Sequence, residues 1–343
     1  MSPYKVPYAP GSDPFALLAQ DGYYYVYCSG MKLYRSPDLI HYEDLGKAYE
    51  PVPDDWFEGF SSAPECYYFN GKYYLFHTAF WKENPCGELE TGRVGVLVSD
   101  TPYGPFTDPL KRPIFDPEYS VIDVHVYEEG GRYWLYYSRC AYHHPVGRDD
   151  IEESWIYGAE MKSDFSGLLE QPKLMLRPMQ EWENHTLETH KRRWNEGEFV
   201  LKHGDTYYMT FSSNTFEDYG VGYATAKHPM GPWTKAPENP ILQEIPEEGI
   251  YAPGHNSFVW SKDGKQLYIV YHIVTDHELQ SVKKPPVLFA PKDPDARKRT
   301  DYALQHAAGY DFMDAVPCRD KMRKITFEPV RFVDGRMVIG EEA

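Results

Sequence analysis

The sequence predicts an all-β fold, a five-bladed β-propeller occupying residues 1–343 as a single domain. Three observations carry the prediction. The 343 residues include 30 Tyr, 26 Gly and 29 Pro, a mixture that suits short aromatic strands joined by turns and works against long helices. One hairpin pattern occurs five times along the chain. No long segment of helical periodicity separates the copies, which excludes alternating βα units.

The five copies are DGYYYVYCSG (21–30), NGKYYLFHTA (70–79), GGRYWLYYSR (130–139), HGDTYYMTFSS (203–213) and DGKQLYIVYHI (263–273). Each opens on a turn dipeptide suited to positive φ, the kind that joins hairpin strands without splaying them. Each follows a second strand-like stretch: FALLA (15–19), ECYYF (65–69), DVHVY (123–127), GEFVL (197–201) and NSFVW (256–260). A third strand and often a fourth come downstream, and the turns TPYGPF (101–106) and HPMGPW (228–233) are near copies. Tyr23, Tyr73, Tyr133, Tyr207 and Leu267 are spaced by 50, 60, 74 and 60 residues. A repeat of four strands stretched by loops is the signature of a propeller blade. A β-sandwich would not place one hairpin five times with the same lettering. The hairpin at 324–340 completes the last blade. A loop insertion is expected at about 280–316, with a short helix over 292–309 as decoration or a lid.

Composition bounds the partners. Thirty-five Lys and Arg against 52 Asp and Glu give a formal charge of −17, which repels phosphate backbones and anionic lipid and so argues against nucleic acid or membrane. Arg297, Lys298 and Arg299 are flanked by Asp295 and Asp301 and read as a solvated turn. The amino-terminal stretch lacks the apolar core of a secretion signal, and no segment approaches a membrane span. A cytoplasmic location is the expectation. Cys28, Cys66, Cys86, Cys140 and Cys318 are odd in number and form no Cys-x-x-Cys pair, so they read as free thiols.

In a propeller the inner strand of each blade lines the axis, so the heads of those strands converge on one funnel. The positions are Asp13 in GSDPF, Glu65 in SSAPE, Asp123 in VIDVH, Glu196 in WNEGEF and His255 in APGHNSF. Singly, each has an ordinary reading as a turn or loop residue. Five ionisable groups at corresponding heads point instead to a working site. Carboxyl groups crowded in an aromatic funnel are the equipment for splitting a glycosidic bond: one acid protonates the leaving oxygen and one carboxylate activates water or attacks the sugar. A third carboxylate raises the acid's pKa by like-charge repulsion. Aromatic faces, Phe60 among them, offer platforms for sugar rings.

On these motifs the chain resembles the family 43 glycoside hydrolases, five-bladed propellers that act on pentose glycans. SDPF resembles the segment holding the general base, which implies that role for Asp13. SVIDVHVY resembles the segment of the orienting, pKa-modulating aspartate, here Asp123, and NEGEFVLKHGDTYYMTFSS the segment of the general acid, here Glu196. SAPE resembles a substrate-facing motif and gives Glu65. PGHNSFVWSKDGKQLYIVYH resembles the last-blade Gly-His motif and gives His255, which in relatives often stands beside a water-coordinated calcium ion. The resemblance implies an inverting α-L-arabinofuranosidase on arabino-oligosaccharides, or alternatively a β-D-xylosidase on xylo-oligosaccharides, with no cofactor required and calcium as the one candidate ion.

Val124 and Glu198 stand where the family often has Pro. Residues i and i+2 of an extended strand share a face, so Glu198 is the main rival of Glu196. Glu188, in a loop with His185 and His190, is a weaker rival, and the spacing of those histidines is not the helical metal pair. Arg319 is a further sugar-binding candidate beside Phe60, Glu65 and His255. A non-catalytic sugar-binding propeller would have eroded one of the three carboxylates. A phosphorolytic relative would need several Arg or Lys in the funnel. A protein-interaction propeller would carry Trp-Asp blade endings.

Overall fold

A computed structural model describes residues 3–82, 92–117, 119–141, 151–186, 191–213, 219–275 and 323–340. The expected insertion at 280–316, its helix, Arg319, Glu188 and His190 lie outside the described residues. Among the described residues there are twenty strands, of which nineteen form five blades. Blade 1 is β1 (Phe15–Leu18), β2 (Tyr24–Cys28), β3 (Lys32–Ser36) and β4 (Glu43–Lys47). Blade 2 is β5 (Phe57–Phe69), β6 (Lys72–Trp81) and β7 (Gly92–Ser99), with its fourth strand reduced to a bridge between Val98 and Thr107. Blade 3 is β8 (Val121–Glu129), β9 (Arg132–Ala141), β10 (Ile151–Met161) and β11 (Lys173–Leu176). After β12 (Asn184–Thr186), blade 4 is β13 (Lys191–His203), β14 (Thr206–Ser213), β15 (Gly220–Ala226) and β16 (Thr234–Lys235). Blade 5 is β17 (Tyr251–Trp260), β18 (Leu267–Val274), β19 (Arg323–Val333) and β20 (Arg336–Ile339), so the last hairpin completes it.

The five tyrosine runs are the second strands. Their turns take the left-handed backbone that the dipeptides permit, as at Asn70 (φ 50°) and Gly71 (φ 84°). The two copied turns share a cis peptide bond, at Gly104–Pro105 and Gly231–Pro232. Two further pairings hold the ring. The segment at 8–11 runs antiparallel to the start of β19, with Tyr8 N–H donating to Ile325 O at 2.9 Å and Gly11 N–H to Arg323 O at 3.0 Å, which ties the chain's beginning to blade 5. Blades 3 and 4 are joined by a parallel ladder in which Ile151–Ser154 faces Lys191–Trp194.

The axis is filled. One residue from each inner strand, Phe15, Glu65, His125, Phe199 and Ser257, meets its counterparts there, and all five are at most 9% exposed. The Phe15 and Phe199 ring centroids are 6.2 Å apart although they belong to blades 1 and 4, and His125 lies 4.3 Å from Phe199. Cys28 and Cys66 are buried and stand outside any disulfide, and burial pushes the Cys66 thiol up to about 12, which disfavours it as a nucleophile.

Candidate active site

Every inner strand carries the same irregularity just above that plug. Two residues bulge out against one on the neighbouring strand, between Ser62 and Glu65, Ile122 and His125, Glu196 and Phe199, and Gly254 and Ser257. In blade 1 the Ser29 N–H donates to Ser12 O while Phe15 pairs Tyr27, the same offset. The first bulged residue is left-handed in all five: Asp13 (φ 55°), Ala63 (42°), Asp123 (56°), Gly197 (57°) and His255 (46°). Four of these are not glycine, and a side chain in that region costs on the order of 1–2 kcal/mol. The strain recurs where side chains must be aimed into the funnel.

This register corrects the reading of five corresponding heads. Asp13, Asp123 and His255 are truly equivalent. Glu196 precedes its bulge residue by one position, and Glu65 follows its own by two, which puts it in the plug below. A period-2 reading cannot see a bulge.

A second ring of polar side chains faces the bulges from the neighbouring strands: Ser29, Thr78, Ser138, Ser212 and His272, all at most 3% exposed. Three of them accept a bulge amide from the next blade. Asp13 N–H donates to His272 Nδ1 at 3.2 Å, Ala63 N–H to Ser29 Oγ at 2.9 Å, and His255 N–H to Ser212 Oγ at 2.7 Å. Gly197 differs: its N–H donates to Asp123 Oδ2 at 3.1 Å, while Ser138 Oγ donates to Glu198 Oε2 at 2.8 Å.

Asp13 is the best-supported carboxylate. Ser29 Oγ donates to its Oδ2 at 2.5 Å, and Arg323 Nη1 lies 3.4 Å from Oδ1. His255 Nδ1 stands 3.5 Å from the same Oδ1 and 3.8 Å from Asp123 Oδ2. His272, fully buried, is held well below the ordinary histidine range by burial and by the nearby Arg323 and His255, so it is neutral. Since Nδ1 accepts the Asp13 amide, its proton sits on Nε2.

Asp123 is raised well above the usual carboxylate range, first by burial and then by the charges of Glu196, Asp13 and Glu198. Glu196 is raised by burial, against the lowering effect of donors from Tyr219, Trp194 Nε1 (2.5 Å to Oε2) and the charge of His255. The Tyr219 hydroxyl donates to Oε1. Asp13, Asp123 and Glu196, from three blades, thus lie within electrostatic reach of one another. The residue before Glu196 is braced as well: Asn195 Nδ2 donates to Glu183 Oε1 at 3.0 Å, and Lys235 Nζ donates to Asn195 Oδ1 at 2.8 Å and to Glu183.

Glu198 does not share the setting of Glu196. The bulge at Gly197 breaks the strand period, and Glu198 turns into the blade 3 interface, 2% exposed, where burial raises it well above the usual range. Glu65 accepts from His125 Nδ1 at 2.9 Å and from the Tyr67 hydroxyl. His125 Nε2 accepts from Val200 N–H at 2.9 Å, so that network fixes the plug. Phe60 is half-buried on β5 above the bulge. Sequence reasoning missed Ser29, Tyr219, His272 and Arg323. The first and third had a signal, because Ser, Thr or His stands five residues after Tyr24, Tyr73, Tyr133, Tyr207 and Leu267.

Among the described residues no three His, Cys, Asp or Glu side chains group as direct metal ligands. The His255 ring faces two carboxylates, those of Asp13 and Asp123.

A family model described as Glycosyl hydrolases family 43 matches residues 4–288. A beta-D-galactofuranosidase xynD of Aspergillus niger is 32% identical over 187 residues, 52% of this chain and 46% of that protein. An extracellular exo-alpha-(1->5)-L-arabinofuranosidase of Streptomyces avermitilis is 25% identical over 342 residues, 94% of this chain and 65% of that protein. The chain thus spans about half to two-thirds of these relatives' length. A solved structure of a thermostable family-43 glycoside hydrolase superposes with a TM-score of 0.78 at 29% identity, covering 99% of this chain and 96% of that one.

Proposed function

The chain belongs to the glycosyl hydrolases of family 43, and on that premise we propose that it removes terminal pentose units from oligosaccharides with inversion, as an α-L-arabinofuranosidase. The observation that carries the reading is the meeting of Asp13, Asp123 and Glu196 above the plugged axis. Asp13 is the general base, its carboxylate aimed by Ser29 and Arg323. It takes a proton from water as the water oxygen bonds to the anomeric carbon. Glu196 gives its proton to the glycosidic oxygen, which leaves with the electron pair of the broken bond. A buried acid with a raised pKa keeps that proton until it is needed. Asp123 orients the pair through Gly197. His255, between the two aspartates, and Phe60, half-buried above, are the sugar-binding residues of the described set. Calcium, if bound, would be held at His255.

Relatives are named both as arabinofuranosidases and as a xylan 1,3-beta-xylosidase, so β-D-xylosides are the alternative substrate. The test is a panel of nitrophenyl pentosides with arabino- and xylo-oligosaccharides, the product anomer followed by proton NMR. The β-anomer of arabinose appearing first from an α-arabinofuranoside is expected. Initial release of the α-anomer overturns inversion, and turnover confined to xylosides overturns the sugar assignment.

A further inference from the structure

The Glu196 carboxyl group is held at both oxygens by donors of different kinds. Trp194 Nε1 donates to Oε2 at 2.5 Å, and an indole N–H can only donate. That oxygen is therefore an acceptor at every stage. The Tyr219 hydroxyl meets Oε1, and a phenol both donates and accepts.

Tyr219 is itself fixed from several sides. It is 5% exposed, its ring stands edge-on to His272 with centroids 5.5 Å apart, and the Arg323 guanidinium lies 5.1 Å from its centroid. A Cβ on Gly254 would fall 2.8 Å from Tyr219 Cγ, so the ring fills the space that this glycine leaves. Arg323 also approaches Asp13, which places Tyr219 between the surroundings of the base and the acid.

We infer that Tyr219 is the positioning residue of the acid, its hydroxyl holding Oε1 of Glu196 and donating into the charge that develops as the acid gives up its proton. The inference rests on the reading of Glu196 as general acid. When the Glu196 O–H bond breaks and the hydrogen passes to the glycosidic oxygen, negative charge develops over both carboxylate oxygens, and Tyr219 donates into it at Oε1. A donor to the ionised form favours that form and lowers the pKa, so Tyr219 offsets part of the rise that burial imposes.

The test is Tyr219→Phe, which keeps the ring and removes only the hydroxyl. The alkaline limb of kcat/KM, which reports the acid in the free enzyme, is expected to move up by about half to one pH unit. kcat should fall several-fold on oligosaccharides and little on a dinitrophenyl pentoside, whose leaving group needs no proton. Site-specific 3-fluorotyrosine at 219 keeps the fold and strengthens the donor, and should move the limb the other way. An unmoved limb in both variants, or equal losses on both substrates, overturns the inference. Glu196→Gln on the same two substrates separates the failures. If it spares dinitrophenyl turnover while abolishing oligosaccharide turnover, the acid assignment stands whatever Tyr219 does; if it does not, that assignment falls.

Discussion

The amide of Gly197 donates to Asp123 across the boundary between blades 3 and 4, at 3.1 Å. It can do so because residue 197 is left-handed (φ 57°) and carries no side chain; a Cβ there would lie 3.0 Å from His255 Nδ1. Gly197→Ala is therefore expected to displace His255 and cost about 1–2 kcal/mol of stability from the backbone alone. Turnover should drop at least tenfold in a chain that still folds, read by kinetics alongside thermal unfolding. Unchanged turnover would remove Gly197 from the site.

Asp13→Asn and Glu196→Gln should each abolish turnover of oligosaccharides with circular dichroism unchanged. Inversion requires roughly 6.5–9.5 Å between the two carboxyl groups, whereas about 5 Å would mark a covalent route. Glu198→Gln is the discriminating control. Its carboxyl group is buried with a strongly raised pKa and accepts from Ser138, so the amide is close to isosteric and activity should stay within a few-fold. Loss equal to that of Glu196→Gln would exchange their roles.

The acids of the funnel should weaken the fold at neutral pH. Asp123 and Glu196 have folded pKa values above their unfolded ones, so between about pH 4 and those raised values the native chain holds more protons than the unfolded chain. Stability is then highest below the unfolded pKa and is lost as pH rises. Asp123→Asn should raise stability at pH 7 by about 1–3 kcal/mol, and the gain should vanish near pH 3. Thermal melts across pH read it directly, and a destabilised variant at pH 7 would refute the linkage.

Lys235 and Glu183 form an ion pair whose side chains are 10% and 0% exposed. Removing one partner of such a pair strands a buried charge at about 3–5 kcal/mol. Lys235→Ala should accordingly lower the denaturant midpoint far more than Lys173→Ala, whose pair with Glu170 is exposed. Equal midpoints would show that the brace beside Glu196 is dispensable.

The blades were legible because a hairpin is local: turn dipeptide and alternating strand sit within about ten residues, and five copies leave little room for another topology. The parallel ladder between Ile151–Ser154 and Lys191–Trp194 was not, because nothing local distinguishes a strand that pairs outside its own blade. The site was half legible. Asp13, Asp123, Glu196 and His255 stood out as charges at strand heads, but their true register depends on bulges whose mark is a backbone angle. Ala63 occupies the same position with nothing chemical to show for it. Tyr219 was one tyrosine among 30, and Arg323 reaches Asp13 across 310 positions of sequence.

The plug of Phe15, Glu65, His125, Phe199 and Ser257 has a bearing on turnover. Among the described residues, side chains of all five inner strands close the axis below the funnel, so a ligand above them does not pass through the ring along the axis. On the proposed reading, a released monosaccharide is then expected to compete with incoming chains for the funnel, which initial rates measured with added pentose would read.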